Sequence, residues 1–370
     1  MVFLRSKITT MVEPTGRLPA LDGLRGVAAV TVLVHHSLLV IPAVAADRAS
    51  AAWIVRSPLH LFWAGNEAVY VFFILSGLVL TLPALRRGRM HWKPYYPSRL
   101  LRLYIPVVAS VVLAVVLALL VPRVGMQGRS IWMQSHQEPL TLSSVARNVS
   151  LLAPDWLNSP LWSLRWEVAF SLLLPVYLLV TRWTRRWFAL IGVAALFLSS
   201  IGSAIGSAAL TFLPMFMIGC AIASAVYSGR VLVRNAVWPW TMLASALGIT
   251  LTWWTPGFLP PSAAFPVVLA SASGFVLSAV YWPPMRAVLQ RPTIQWLGKI
   301  SFSLYLVHEP VVVSVGLLLP AGLSWLAPML AAPLALVAGW WFFRLVEAPA
   351  HRLAKRSATW IALKDQSVNR

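Results

Sequence analysis

The sequence predicts an all-α polytopic membrane protein of about ten transmembrane helices with both termini cytoplasmic, and three observations predict it. First, the 370 residues are 59% hydrophobic and 11% charged, with a mean hydropathy of +0.76, whereas ordinary soluble domains carry about 25% charged residues. Second, the apolar residues fall in runs of about 20, the length of helix that crosses a hydrocarbon core. Third, the basic residues collect between alternate runs. A soluble globular domain is excluded, and so is a disordered chain, given Trp 19, Phe 15 and Tyr 8.

In chain order the runs are 19–41, 62–85, 101–121, 160–181, 187–203, 207–227, 236–254, 262–282, 301–320 and 325–345. They make one transmembrane domain, 19–345, between a cytoplasmic segment 1–18 and a basic cytoplasmic tail 346–370. Short cytoplasmic loops gather Lys and Arg. With the N-terminus inside, the inner segments hold Arg5, Lys7, Arg17 and Arg25, then Arg86, Arg87, Arg89, Lys93, Arg99 and Arg102. Arg182, Arg185, Arg186, Arg230, Arg234, Arg286, Arg291, Lys299 and the tail from Arg344 to Arg370 follow on the same side. The outer loops hold Arg48, Arg56, Arg123, Arg129 and Arg147. The net charge of +20 is therefore topology, with no nucleic-acid surface. Ala43-Val44-Ala45 has the small-x-small form of a leader cleavage site, but the preceding basic stretch is long and His35 and His36 break the apolar run. The run is read as the first span. The polar, Pro-containing loop 122–159 is expected outside, as a cap over a site. The single Cys220 allows no internal disulfide.

Ionisable residues inside spans cost several kcal/mol unless paired or wetted, so they mark candidates. In the first run Asp22 and Arg25 are three apart and can pair on one helical face. From Arg25 to His36, at about 100° per residue, the helix completes three turns plus roughly 20° and rises about 16 Å, so the two share a face while His35 points about 80° away. Histidine is the side chain suited to take and return a proton near neutral pH. A buried His bonded to a neighbouring helix is the plain alternative. In the second span, Ser76-Gly77 lines a cavity or permits close helix packing, packing being the usual role of small residues. Arg99 and Arg102 share a face at the start of the third span, fit either to clamp phosphates or to anchor in anionic headgroups. Arg165 and Glu167 are two apart and do not face each other, so each needs a partner from elsewhere. Tyr305, His308 and Glu309 stand in the ninth span, where the same cost applies and a supporting network is expected. No metal-ligand spacing, Gly-rich nucleotide loop or serine-hydrolase elbow is present in the sequence.

These residues carry a resemblance to the acyltransferase family 3. It runs through LDGLRGVAAV at 21–30 with His36, VFFILSG at 71–77, RLLRLYIP at 99–106, PLWSLRWEVAFSLLLP at 160–175, FMIG at 216–219, LGKISFSLYLVHEP at 297–310 and VEAPAHR at 346–352. The resemblance implies about ten membrane helices, a cytoplasmic acyl-coenzyme A donor and a hydroxyl acceptor on the other side. It places the family's Arg-x10-His motif on Arg25 and His36, its basic motif on Arg99 and Arg102 as holders of coenzyme A phosphates, its fourth-span acid on Glu167, and a recurrent histidine on His308. Many members carry an acid before the paired Phe of the second span; here Tyr70 stands there, with Glu67 nearby. The secreted hydrolase-like domain fused to some members does not follow, so a second transfer step would fall to a separate protein.

The expectation is an O-acyltransferase of the cell (inner) membrane, using acyl-CoA, acetyl-CoA by preference, and no metal. Its partners would be a saccharide or glycolipid acceptor and membrane lipids. His36 would act as general base or covalent acyl relay, with Arg25 and Asp22 orienting the site and the donor, Glu167 joining them as a catalytic residue, and Ser76, Tyr305 and His308 in support. A lipid or glycan transporter without acyl chemistry is the competing class, but repeated halves or matched broken helices are not evident.

Overall fold

A computed structural model describes residues 18–88, 90–230, 234–255 and 259–368. The segment 1–18 with Arg5, Lys7 and Arg17 lies outside the described residues except for Leu18, as do Arg89 and Arg370. The described residues are predominantly helical, with no strand among them. The main helices are α1 (Pro19–Leu39), α2 (Gly65–Arg87), α3 (Trp92–Leu120), α4 (Leu142–Ser150), α5 (Leu161–Trp183), α6 (Phe188–Ala204), α7 (Ala208–Tyr227), α8 (Trp238–Gly248), α9 (Pro261–Tyr281), α10 (Pro292–Leu318), α11 (Ala327–Phe342) and α12 (Ala348–Val368).

Eight described segments are long and apolar enough to cross a membrane: Gly65–Arg87, Trp92–Leu120, Leu161–Trp183, Arg185–Ala204, Ala208–Tyr227, Ser262–Tyr281, Pro292–Leu318 and Ala321–Asp365. The protein is thus an all-α polytopic membrane protein. Two expected spans differ in kind. The first is a continuous 21-residue helix, α1, that carries Asp22, Arg25, His35 and His36. The seventh is divided, α8 ending at Gly248 and a short helix, Leu251–Trp254, following it. The third span starts at Trp92 because Pro94 falls in the first turn, where its missing N–H is not needed. The expected tail is helical too, as α12 after a π-helical turn at Phe343–Glu347.

The chain divides into two compact units. Among the described residues, the first comprises those within 18–31, 56–88 and 173–299. Small residues hold its helices at backbone distance, as expected where lipid supplies no hydrophobic drive and van der Waals contact must do so. A Cβ on Gly77 of α2 would sit 2.1 Å from the Phe216 carbonyl oxygen of α7, and one on Gly219 would sit 2.0 Å from that of Ile74. Beside this crossing Thr81 Oγ1 meets Cys220 Sγ at 3.1 Å. Gly26 and Gly298 do the same for α1 and α10, with a Cβ on Gly26 falling 2.4 Å from the Gly298 nitrogen. Glu67 is buried at the start of α2 and accepts from the Trp253 indole at 3.0 Å, near His60, whose ring stacks on Trp253 at 4.0 Å.

The second unit comprises, among the described residues, 32–55, 90–172 and 300–368. Here α12 packs along α3, with Lys93 Nζ 2.5 Å from Asp365 Oδ1. Glu347, in the π-helical turn, accepts from the backbone N–H and hydroxyl of Ser303 at 3.1 and 2.5 Å. The segment 122–159 folds onto the same unit. Its α4 begins at Thr141, whose hydroxyl caps Ser144 N–H at 3.1 Å, as N-cap threonines do. Asp155 binds the segment together by accepting from Ser144, Arg147, Asn148 and the Leu157 N–H. Burial alone would raise the Asp155 carboxyl, but Arg147, Asn148, Leu157 N–H and Ser144 outweigh it and hold it below the usual carboxylate range.

Candidate active site

His36 stands near the C-terminal end of α1 and His308 in the middle of α10, both in the second unit. The His308 Nδ1 lies 3.1 Å from the Leu304 carbonyl oxygen and 2.8 Å from that of Tyr305. A carbonyl only accepts, so Nδ1 carries the proton, and in the neutral ring Nε2 is left as an acceptor. That Nε2 faces His36 Nδ1 at 3.0 Å. His36 Nδ1 also has the Val32 carbonyl at 3.2 Å, so acceptors surround it and it carries the proton in turn. The neutral His36 ring therefore keeps its lone pair on Nε2. This is the tautomer of a general base, set by the bond its other nitrogen makes.

Tyr305 steadies this pair twice. Its carbonyl receives His308, and its hydroxyl is 2.8 Å from Ser163 Oγ and donates to the Pro160 carbonyl at 3.1 Å. Glu309, next in the chain, is 1% exposed and has both oxygens occupied. Oε2 accepts from Ser159 N–H at 2.5 Å, while Oε1 accepts from the Ser159 hydroxyl at 2.5 Å and meets His136 Nε2 at 3.1 Å. His136 Nδ1 donates to the Trp132 carbonyl at 2.8 Å, which turns its Nε2 toward Glu309. The Trp132 ring lies 5.5 Å from that of His36 and 4.6 Å from that of His136.

Arg99 of α3 pairs with Glu167 of α5, Nη2 donating to Oε1, and its Nε donates to Ser171 Oγ at 3.0 Å. Both charged groups are largely buried, with side-chain exposures of 14% and 17%. Arg102 is exposed one turn further along α3. Arg165 donates to the Leu152 carbonyl at 2.9 Å and lies over Trp166. Asp22 and Arg25 are half-buried on the N-terminal part of α1, in the first unit. Ser76 is half-buried on α2, also in the first unit, beside the Gly77 crossing. Trp132, His136 and Ser159 were invisible to sequence reasoning because they sit in a polar loop, where an imidazole or indole carries no desolvation cost to flag it. A Ser before a short apolar helical turn, Ser130-Ile131-Trp132-Met133, was the one available signal.

Arg123, in the same loop, is 6% exposed, donates to the Trp156 carbonyl at 2.8 Å and lies over that indole. Burial pushes its guanidinium down to about 10, opposed by the charges of Glu309 and Asp155. Among the described residues no group of three or more His, Cys, Asp or Glu is arranged to hold a metal.

Two hydrogen-bonded imidazoles within apolar helices of a polytopic protein mark a candidate site for proton transfer. The family model Acyl_transf_3, described as "Acyltransferase domain", matches residues 18–344. The chain belongs to this family, and it is an acyltransferase. It is 28% identical over 327 residues to "Acyltransferase MdmB" of Streptomyces mycarofaciens, covering 80% of this chain and 79% of that protein. No solved structure matches the chain.

Proposed function

We propose that this acyltransferase moves an acyl group, acetyl by preference, from cytoplasmic acyl-CoA to a hydroxyl of an extracytoplasmic saccharide or related acceptor at the cell's inner membrane. The observation that carries the reading is the 3.0 Å bond between His36 and His308, with His308 tied to two backbone carbonyls. His36 Nε2 takes the acceptor O–H proton as the acceptor oxygen bonds to the acyl carbon. The C–S bond of the thioester then breaks, and the proton passes to the departing thiolate. His308 holds the ring and shares the charge that appears on it, the part a carboxylate plays beside histidine in hydrolytic triads. A covalent relay through His36 Nε2 uses the same bare nitrogen.

Arg25 and Asp22, three turns earlier on α1, are proposed to orient the donor. Arg99 and Arg102 are proposed to hold its phosphates, with Glu167 keeping the Arg99 guanidinium extended until a phosphate competes for it. Purified protein given radiolabelled acetyl-CoA should cleave the thioester and transfer the label. General-base help is worth about 10²–10⁴ in rate, so His36→Ala should reduce cleavage by that order while the protein stays inserted and folded. Near-normal transfer by that variant would overturn the role of His36. Absence of cleavage with every acceptor tried would favour a carrier.

A further inference from the structure

Trp132 is placed with more care than a loop tryptophan requires. It sits in the four-residue helix Ile131–Gln134, and three separate contacts fix that helix within the second unit. Arg129, just before it, donates to the carbonyls of Gly316, Leu317 and Leu319 at the end of α10. Those carbonyls lack helical partners, and a guanidinium is well suited to satisfy them. Met133 is fully buried and lies against Gly316, where an added Cβ would come 3.2 Å from its methyl carbon. His136, just after it, is held by Glu309 and returns a hydrogen bond to the Trp132 carbonyl itself. Between these anchors the indole is half-buried against His36, whose other ring neighbours are His35 at 5.2 Å and His308 at 5.0 Å.

A base able to deprotonate an acceptor hydroxyl can deprotonate water equally well. A transferase must therefore keep water from its acyl donor until the acceptor arrives, and closed apolar walls are how sites achieve this. We propose that Trp132 is the water-excluding wall over His36 and sets the choice between acyl transfer and thioester hydrolysis. The proposal rests on the acyl-transfer reading. In the hydrolysis it suppresses, water gives its proton to His36 Nε2, its oxygen bonds to the acyl carbon, the C–S bond breaks, and the proton returns to the thiolate. A carboxylic acid and a free thiol result.

The test is a size series, Trp132→Phe, Trp132→Leu and Trp132→Ala, in the purified full chain. Two measurements are made on each: thiol release from acetyl-CoA without added acceptor, and carbethoxylation of His36 by diethyl pyrocarbonate, read by mass spectrometry of its peptide. Both should rise as the side chain shrinks, with Phe close to the parent and Ala raising thiol release about tenfold as water gains access. His136, behind the indole, serves as the internal reference for general loosening. A series in which neither quantity changes, or in which His136 labelling rises as much as that of His36, overturns the proposal. If labelling of His36 alone rises while neither the parent nor any variant releases thiol, the wall is supported and the acyl-transfer reading is what fails.

Discussion

Glu67 and Glu309 are both buried acids on apolar helices, one in each unit, and the cost of placing a carboxyl in a span marks them equally. Their surroundings differ. Glu67 accepts from the Trp253 indole through Oε1, and its Oε2 has no hydrogen-bond partner. Glu309 is met by Ser159 N–H, Ser159 hydroxyl and His136, all from one segment of loop. Desolvation cost locates a buried acid, and the number of donors converging on it reveals its work. Glu309 fastens the 122–159 segment to α10 beside His308, whereas Glu67 joins the first turn of α2 to an aromatic cluster.

The largest expected effect follows from breaking the richer of the two. Glu309→Ala strips His136 and both Ser159 donors of their acceptor in a dry site, and removing one member of a buried pair costs about 3–5 kcal/mol. The loss should fall on the loop. Limited proteolysis should nick 122–159 far faster in the variant, and retention of parental resistance there would refute the clasp. Because the clasp positions Trp132, the same variant should release more thiol from acetyl-CoA.

Glu67→Gln should be much milder. The amide oxygen can still accept from Trp253, so one neutral hydrogen bond at most is lost, about 0.5–1.5 kcal/mol. Thermal unfolding in detergent would show it as a small shift, with acyl transfer retained. A loss as large as that of Glu309→Ala would mean that Glu67 has a function the donor count misses.

How much of this was readable beforehand follows from which solvent each residue meets. Lipid imposes long, uniformly apolar helices, so the all-α polytopic class and most of the spans were plain from hydropathy. The same solvent made His36, His308 and Glu309 conspicuous. The break between Gly248 and Leu251 escaped because the residues on both sides are apolar and hydropathy does not register backbone geometry. Trp132 and His136 escaped because their loop is polar, and a loop's fold depends on side-chain bonds, such as Ser159 and His136 to Glu309, between residues far apart in the chain. Arg99 was singled out for its charge and its helical face, while its pairing with Glu167 depends on how α3 lies against α5 within the second unit.

Asp155 extends the comparison to an acid at the edge of water and should give the smallest effect. It too gathers several donors, Ser144, Arg147, Asn148 and Leu157 N–H, but Arg147 is largely exposed and solvent screens the pair. Its carboxyl is held below the usual range, so its contribution is fully present above the unfolded value of about 3.9 and fades as pH falls through the lower folded value. Proteolytic protection of residues 141–158 in the parent should therefore hold down to about pH 4 and decline below it. Asp155→Asn should be slightly less protected at neutral pH and show no such decline, since an amide has nothing to titrate. An equal acid decline in parent and variant would show that the pH sensitivity of this loop does not reside in Asp155.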